Sequence, residues 1–369
     1  MAADLSEAIT ASIHSAQQNA TALRIEGHGS KQHWFDAAIS TDEPASAIAL
    51  DVSGHAGVLD YQPEELVVTA RAGTSLQNIK DLLASSGQML ACDPPLYGTG
   101  SGDNRTGTVG GAVASGFSGP GRPWCGAIRD AVLGVEMING QGDYLRFGGQ
   151  VMKNVAGYDV SRLQAGAWGS LGVLMTISMR AHPQWEEQQT LALQLDFARA
   201  QHFCQQIGLR NLPIVGTLWQ RGMLYLRLAG NAQGVAAARA GLGGDSMGED
   251  VAASLWRDLR DHRLAFFKQA MTPQGKLWRL VVPVAAPGLS SEDEQNLLVE
   301  WGGGLRWLYS DDDQAVRRYA QKAGGWCWQL GGAMPVASAQ AQQFQRLSAA
   351  FDPNGVFACP VSMAIADAD

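Results

Sequence analysis

Gly107-Thr108-Val109-Gly110-Gly111-Ala112-Val113-Ala114-Ser115-Gly116 is the stretch whose reading decides the fold. It is rich in glycine and small residues, and it opens like a helix, whose N-terminus carries a partial positive charge. It also sits inside a glycine excess. Of 44 glycines in 369 residues, 19 fall between Gly98 and Gly172. No Gly-X-Y period runs through that region, so it is not collagen-like. Apolar runs at Ala131–Ile138 and Leu171–Met179 interrupt it, so it is folded chain and not a flexible linker. Glycines clustered in folded chain mark places where backbone takes positive φ or comes close to something.

Three phosphate-cradling devices can be tested against this pattern. A dinucleotide fingerprint needs G-x-G-x-x-G between a strand and a helix. Gly27-His28-Gly29 follows a strand-like Leu23-Arg24-Ile25, but Gln32 stands where the third glycine belongs. A P-loop needs G-x-x-x-x-G-K-[ST]. Gly102 and Gly107 have the spacing, but Thr108 replaces the lysine. The third device is a pair of loops that bring backbone N–H groups to one diphosphate. Gly27–Lys31 and Thr106–Gly111 supply such a pair.

The bulk composition narrows the classes. The length suits two domains with separate cores. Hydrophobic residues make up 46% and charged residues 17%, which suits a globular chain. The net charge of −8 comes without a basic patch, so no nucleic-acid partner is expected. The first twenty residues do not read as a signal peptide, and no apolar run is long enough for direct membrane insertion. Cys92, Cys125, Cys204, Cys327 and Cys359 are widely spaced, with no Cys-x-x-Cys. No metal or iron–sulfur site built from this chain is expected, and a reducing cytoplasmic setting is the simplest reading.

Along the chain, a helix at 5–18 precedes short strands at Leu23–Ile25, Ala47–Asp51, Leu66–Ala70 and Met89–Ala91. Thr74 reads as the N-cap of a helix running to about Ser86. Ala131–Ile138 and Tyr144–Phe147 form a hairpin, and Leu171–His182 a long strand. After Pro183 the pattern changes. Leu191, Leu193, Leu195 and Phe197 alternate with polar or small residues as in a half-buried strand. Further strands at Ile214–Trp219, Met223–Leu228, Leu277–Val284, Leu305–Tyr309 and Trp326–Leu330 mix with helices, the last from about Val336 to Ala350. This order predicts an α+β domain with an antiparallel sheet and helices on one face.

An ordered set of segments now carries a family resemblance. Tyr61–Val68, Gly107–Gly116, Lys153-Asn154-Val155-Ala156-Gly157-Tyr158-Asp159 and Gly169–Leu174 resemble the FAD-binding domain of the vanillyl-alcohol-oxidase/PCMH flavoprotein superfamily. Asp93-Pro94-Pro95, Gly121-Arg122-Pro123-Trp124, Arg129–Gly134, Arg146–Gly149, Leu277-Trp278-Arg279 and Trp301–Leu308 are similar to the FAD-binding subunits of bacterial glycolate oxidases. The resemblance runs from about Leu23 to Pro360. It departs from the family pattern at Gly98–Arg105, which is longer, and at Cys359-Pro360, where Asn-Pro is usual.

The resemblance implies an α+β, PCMH-type two-part FAD-binding domain at 1–182, an antiparallel-sheet α+β cap at 183–350, and a C-terminal return to the FAD domain at 351–369. It implies non-covalent FAD. Gly27, His28, Gly29, Ser30 and Lys31 would form the first pyrophosphate loop. Thr108, Val109, Gly110, Gly111, Ser115 and Gly116 would line the second loop and the flavin edge. Gly169, Gly172 and Val173 would meet the adenine and ribose side. The implied partners are a paralogous FAD-containing subunit and an iron–sulfur subunit, the complex oxidising glycolate or D-lactate and meeting the inner membrane only through partner subunits.

A 2-hydroxy-acid carboxylate would want an arginine. Arg279 and Arg306, on cap strands, are candidates, with a rim salt bridge as the competing role. Lys153 is a candidate for positive charge near the flavin, against a solvated lysine. Oxidation also needs a base for the hydroxyl proton. The cap histidines His202 and His262 are far apart in sequence and offer no obvious one. Three readings stay open: a subunit relaying electrons through its flavin, a stand-alone FAD-dependent 2-hydroxy-acid dehydrogenase, and a flavin-free structural subunit.

Overall fold

The apolar face of a five-stranded antiparallel sheet organises the N-terminal part of the chain. The computed structural model describes residues 4–31, 47–98, 106–149, 158–268, 275–289, 291–332, 334–335, 338–358 and 361–362. In chain order the first elements are α1 (Ser6–Asn19), β1 (Leu23–Glu26), β2 (Ile48–Asp51), β3 (Val58–Gln62), β4 (Val67–Arg71), α2 (Leu76–Ala84), β5 (Gln88–Met89) and α3 (Val109–Ser115). Then come α4 (Arg122–Cys125), α5 (Ile128–Ala131), β6 (Val132–Ile138), β7 (Tyr144–Gly148), α6 (Val160–Leu163), β8 (Val173–Arg180) and β9 (His182–Pro183). The sheet order is β3-β4-β8-β6-β7.

One face of this sheet presents Val68, Ala70, Val135 and Ile177 to Leu76, Ile79 and Leu83 of α2 and to Val109, Ala112 and Val113 of α3. Elsewhere Ile138, Val173 and Met175 pack with Ile9 and Ile13 of α1, Leu23 of β1 and Leu50 of β2. The strands β1 and β2 pair in parallel, Leu23 opposite Ile48 and Glu26 opposite Asp51. Burying two such apolar faces is what fixes these elements, at about 25 cal/mol per Å² of apolar surface.

The remaining elements are β10 (Glu187–Gln194), α7 (Phe197–Gly208), β11 (Ile214–Gln220), β12 (Met223–Gly230), α8 (Ala232–Leu242), β13 (Asp245–Ser246), α9 (Glu249–Arg260) and α10 (Ala265–Lys268). They continue with β14 (Lys276–Val281), β15 (Leu297–Glu300), β16 (Leu305–Ser310), α11 (Asp313–Lys322), β17 (Trp326–Gln329), β18 (Met334–Pro335), α12 (Ser338–Phe351) and β19 (Val361–Ser362). An eight-stranded antiparallel sheet, ordered β13-β10-β12-β11-β15-β16-β14-β17, holds the second part of the chain together.

Chain contacts divide the molecule into two units. The first is 1–118, 127–184 and 331–369, and the second is 119–126 and 185–330. This differs from the sequence expectation at two places. Helix α12, expected in the cap, belongs with the first unit. Its Leu347 and Phe351 pack on that unit's core, and the Phe351 ring meets Phe147 edge-on at 6.1 Å. The short α4 belongs with the second unit, where the Arg122 guanidinium lies 4.9 Å from the Trp301 ring centre.

Three local expectations are corrected. Thr74 does not cap α2. Its hydroxyl instead bridges to the backbone of Gly57, and Ser75 precedes the helix. Phe197 is not the end of a strand but the first residue of α7, because Asp196 accepts the Arg199 N–H and starts the helix there. The helices of the second unit cover both faces of the sheet. Leu191, Leu224 and Leu226 face α7 and α8, whereas Thr190 on the other face accepts the Trp256 indole N–H from α9. Alternate residues of β10 are buried from opposite sides, which simple alternation of apolar residues does not reveal.

Candidate functional site

Thr108 sets up the glycine-rich helix. Its backbone is extended, and its Oγ1 accepts the Gly111 N–H at 3.0 Å, an N-cap. The neighbouring amides are also committed to protein: Val109 N–H to Thr74 O at 2.9 Å, and Gly110 N–H to Ala72 O at 2.8 Å. The expectation that this loop offers its α3 amides to a diphosphate is therefore corrected. What the glycines provide is close approach. A Cβ on Gly110 would stand 2.8 Å from the Ala72 Cβ and 3.0 Å from its carbonyl oxygen.

The first loop is different. It leaves β1 at Glu26, and Gly29 takes φ +68°, a conformation that glycine adopts without penalty. Among the described residues, the amide N–H groups of Gly27, His28, Gly29, Ser30 and Lys31 donate to no protein acceptor. Successive free amides around a left-handed residue form a concave anion cradle. The two loops touch. The His28 ring donates from Nδ1 to Thr106 O at 2.5 Å. A Cβ on Gly27 would lie 2.5 Å from Thr108 Oγ1, and one on Gly107 would lie 2.9 Å from Ser30 Oγ. Glycine at both positions lets the loops close on one another.

Lys31 ends the first loop with its side chain turned inward. It is 8% exposed, and its Nζ is 5.6 Å from the Tyr97 ring centre. Burial pulls its amine down to about 8. Nζ also lies 3.3 Å from where a Gly107 Cβ would be and 3.8 Å from a Gly111 Cβ. The ammonium thus sits between both loops.

Between these loops runs a cleft of about 970 Å³, counting its open mouth. Its walls include Gly27, His28, Gly29, Ser30, Lys31, Thr108, Gly110, Gly111, Gly169 and Gly172. The structure therefore brings together ten of the residues expected at the site. Four others support it from behind. Val109 and Val173 are fully buried in two separate cores. Ser115 Oγ donates to Ala112 O at 3.1 Å. Gly116 ends α3 at φ +69°, and a Cβ there would lie 3.0 Å from Gly166 Cα.

Sequence reasoning missed Trp168, Arg24, Glu26 and Ala358, which also line the cleft. Trp168 has φ +54° and its ring meets Phe117 edge-on at 5.4 Å. A bulky residue in that conformation is a genuine backbone outlier. Its place just before Gly169 was the only available signal. Ala358 arrives through the C-terminal return: Leu23 N–H donates to Val356 O, and Ala358 N–H donates to Leu23 O. Asp352 fixes that return by accepting the N–H groups of Val356 and Phe357 at 2.9 and 2.8 Å.

The candidates outside the cleft divide sharply. Arg306 is fully buried and donates to Gly303 O, Pro287 O, Ala286 O and the Tyr319 hydroxyl. It holds loops together and is corrected from a carboxylate ligand to a structural residue. Arg279 is half-buried, its guanidinium 5.3 to 5.8 Å from the ring centres of Trp301, Trp307 and Trp326. Glu300 is buried beside it and accepts the Trp307 indole N–H at 2.8 Å. Burial raises the Glu300 carboxyl to about 7 against the pull of Trp307 and Arg279. Lys153 lies outside the described residues, as do most of Gly98–Arg105 and all of Cys359-Pro360. Among the described residues no group of His, Cys, Asp and Glu is placed to hold a metal, and no helix is long and apolar enough to cross a membrane.

Comparison with known proteins agrees with this geometry. Residues 2–148 match the FAD binding domain family. The chain is 41% identical to glycolate oxidase subunit GlcE of Escherichia coli, over 96% of both chains. It is 30% identical to glycolate oxidase subunit GlcD of Bacillus subtilis and 29% identical to D-lactate dehydrogenase of Archaeoglobus fulgidus. Those two matches span only 36% and 37% of this chain, and 27% and 29% of the relatives. Among solved structures, an alkyldihydroxyacetonephosphate synthase superposes with a TM-score of 0.67 over 96% of this chain and 74% of its own. At 16% identity that likeness speaks for the fold alone.

Fold and cleft together define an α+β flavoprotein of the PCMH-type FAD-linked oxidase class, with FAD as its cofactor. Within that class, the chain belongs to the family of glycolate oxidase subunit GlcE.

Proposed function

We propose that this chain is the FAD-binding subunit of a glycolate oxidase complex that oxidises a 2-hydroxy acid, glycolate or D-lactate, to the 2-oxo acid. The observation that carries the reading is the cradle of five amides at Gly27–Lys31, unpaired among the described residues and closed by the Thr108 loop. The residues fit the cofactor. Gly27–Ser30 offer donors to a diphosphate, Lys31 offers a cation, and Gly169 and Gly172 leave room along the wall toward Trp168. Bound FAD supplies a two-electron acceptor for hydride lost from the substrate carbon. The protein's part is to bind it non-covalently, orient it and keep its diphosphate neutralised.

The chain's own flavin relays electrons, and substrate is oxidised in a paralogous FAD-containing subunit. An iron–sulfur subunit receives the electrons, and contact with the inner membrane is made through partners. Three positions support this division of labour. Arg306 is tied to four oxygens, His202 pairs with Gln206 at 2.9 Å, and His262 stacks on Phe267 at 4.4 Å. A second reading, in which this chain itself oxidises a 2-hydroxy acid, is favoured by one observation. Glu300 is a carboxyl held near neutrality beside Arg279, as a general base requires.

A visible spectrum of the purified chain, taken with and without glycolate, tests both. Flavin absorption that glycolate leaves unchanged is the expected result. Bleaching by glycolate in the isolated chain would establish the second reading. Absence of flavin, even after FAD is added, would refute the cofactor role.

A further inference from the structure

A late stretch of the chain is built into the cleft wall by one carboxylate. Helix α12 ends at Phe351, and Asp352 follows it, buried. Its Oδ1 accepts the Val356 N–H at 2.9 Å, and its Oδ2 accepts the Phe357 N–H at 2.8 Å. The carboxylate is itself seated in the turn between β6 and β7. There Gly140 donates its N–H to Phe351 O at 2.9 Å, and Gln17 of α1 donates to Gly140 O at 2.5 Å. A Cβ on Gly140 would lie 2.8 Å from Asp352 Cα, so only glycine admits this seating. From Asp352 the chain runs parallel to β1. Phe357 bridges Leu23, whose N–H donates to Val356 O at 2.7 Å and whose oxygen accepts the Ala358 N–H at 2.9 Å. Leu23 spends both backbone groups on this segment, so β1 has β2 on one edge and Val356–Ala358 on the other. Val356 and Phe357 join the core around Leu23 and Leu50. Both ends of the arrangement meet at the cleft. Ala358 lines it, and β1 leads at Glu26 into the Gly27 loop.

We propose that Asp352 is a positioning residue for the cofactor: it holds Val356–Ala358 as the strand that braces β1 and completes the cleft wall, so that this segment and the bound dinucleotide stabilise one another. The inference rests on the reading that the cleft takes FAD, and it adds a residue that acts through β1 and Ala358. Ordering so short a strand costs backbone entropy. The two charge-assisted bonds to Asp352 offset that cost. Without the carboxylate, two buried amides lose their acceptor, and the docked segment becomes a minor population. Affinity for the ligand then falls in proportion to the docked fraction. The linkage is reciprocal. A ligand that packs against Ala358 favours the docked segment by the same factor.

Two measurements on the full chain test this: titration of the apoprotein with FAD, and hydrogen exchange of peptides covering 23–31 and 352–358, read by mass spectrometry. In the native chain, FAD should slow exchange in both peptides together. Asp352→Ala should speed exchange at 352–358 without ligand and weaken FAD about tenfold to a hundredfold, as the docked population falls by the same factor. Asp352→Asn keeps one acceptor oxygen and should fall between. Ala358→Leu leaves the Asp352 bonds in place and reports on the wall alone. It should weaken FAD about tenfold or more by crowding the cleft, with exchange of the apoprotein unchanged. This second variant decides the matter if Asp352→Ala does not fold. Faster exchange in Asp352→Ala at native FAD affinity would overturn the proposal, because a merely structural carboxylate gives that pattern. So would exchange at 352–358 that FAD leaves unchanged, or native affinity in Ala358→Leu. A native chain that takes up no FAD would overturn the cleft reading and this proposal with it. FAD bound equally by the native chain and the variants would overturn this proposal alone.

Discussion

Arg279 and Arg306 stand on adjacent antiparallel strands yet face opposite sides of the sheet. Arg279 is opposite Trp307, and Arg306 is opposite Leu280. The two guanidiniums therefore cannot grip one carboxylate. Arg306→Met should lower stability by about 3 kcal/mol or more, because it leaves buried carbonyl oxygens without donors. Arg279→Met should cost only about 1–2 kcal/mol, the worth of its stacking on three indoles. Denaturant unfolding of both variants separates these values, and equal losses would contradict the assignment.

Glu300 makes stability depend on pH in a stated direction. Its folded carboxyl titrates at about 7, above the 4.5 of an unburied glutamate. The folded state therefore holds its proton more tightly than the unfolded state. Its contribution is fully present below about pH 4.5 and is lost as pH rises through 7. Glu300→Gln keeps an acceptor for the Trp307 indole and removes this titration. At pH 8 the variant should be more stable by about 3 kcal/mol, the native chain having lost that much to ionisation. Unfolding curves at pH 5 and pH 8 should converge for the variant and differ for the native chain.

Lys31 works in the opposite sense. Its folded amine is lowered from 10.5 to about 8, so the unfolded chain binds the extra proton between these values. Apoprotein stability should rise with pH across that window. Lys31→Met should stabilise the apoprotein at pH 7 by about 2–3 kcal/mol, while weakening its ligand. Thermal unfolding without and with FAD would show the two effects with opposite sign.

The glycines can be told apart by substitution. Gly110→Val should abolish FAD retention, because the new side chain collides with Ala72 backbone that cannot move away from β4. Gly208→Ala, at the end of α7 with nothing within 4 Å of its added Cβ, should be neutral or stabilising by about 0.5–1 kcal/mol. Flavin absorbance after purification reads the first variant, and a melting curve the second.

Much of this was legible in the residues. Gly27–Lys31 and Thr106–Gly111 could be paired because phosphate-binding loops need small residues in a row, and that need is written locally. The hairpin of β6 and β7 was legible for the same reason. Trp168 was not, because its place just before Gly169 does not by itself announce that it lines the cleft. The role of Arg306 was not, since its four acceptors come from three separate segments. The place of α12 was not, since its amphipathic pattern is satisfied by any apolar surface and only Phe147 and its neighbours decide which.

The sequence by itself pointed to a diphosphate cradle of two loops and the small residues that let them close, and FAD came with the family resemblance. Those are properties of short runs, fixed by what a backbone can do without side chains. Tertiary structure decided which amides of the glycine-rich helix stay open. The amides of Val109, Gly110 and Gly111 are consumed by Thr74, Ala72 and Thr108, and those of Gly27–Lys31 are not. It also decided that Lys31 is buried with no counter-ion among the described residues. Hydrogen-bond partners and dielectric surroundings arise from segments distant in the chain, so they exist only once the chain has folded.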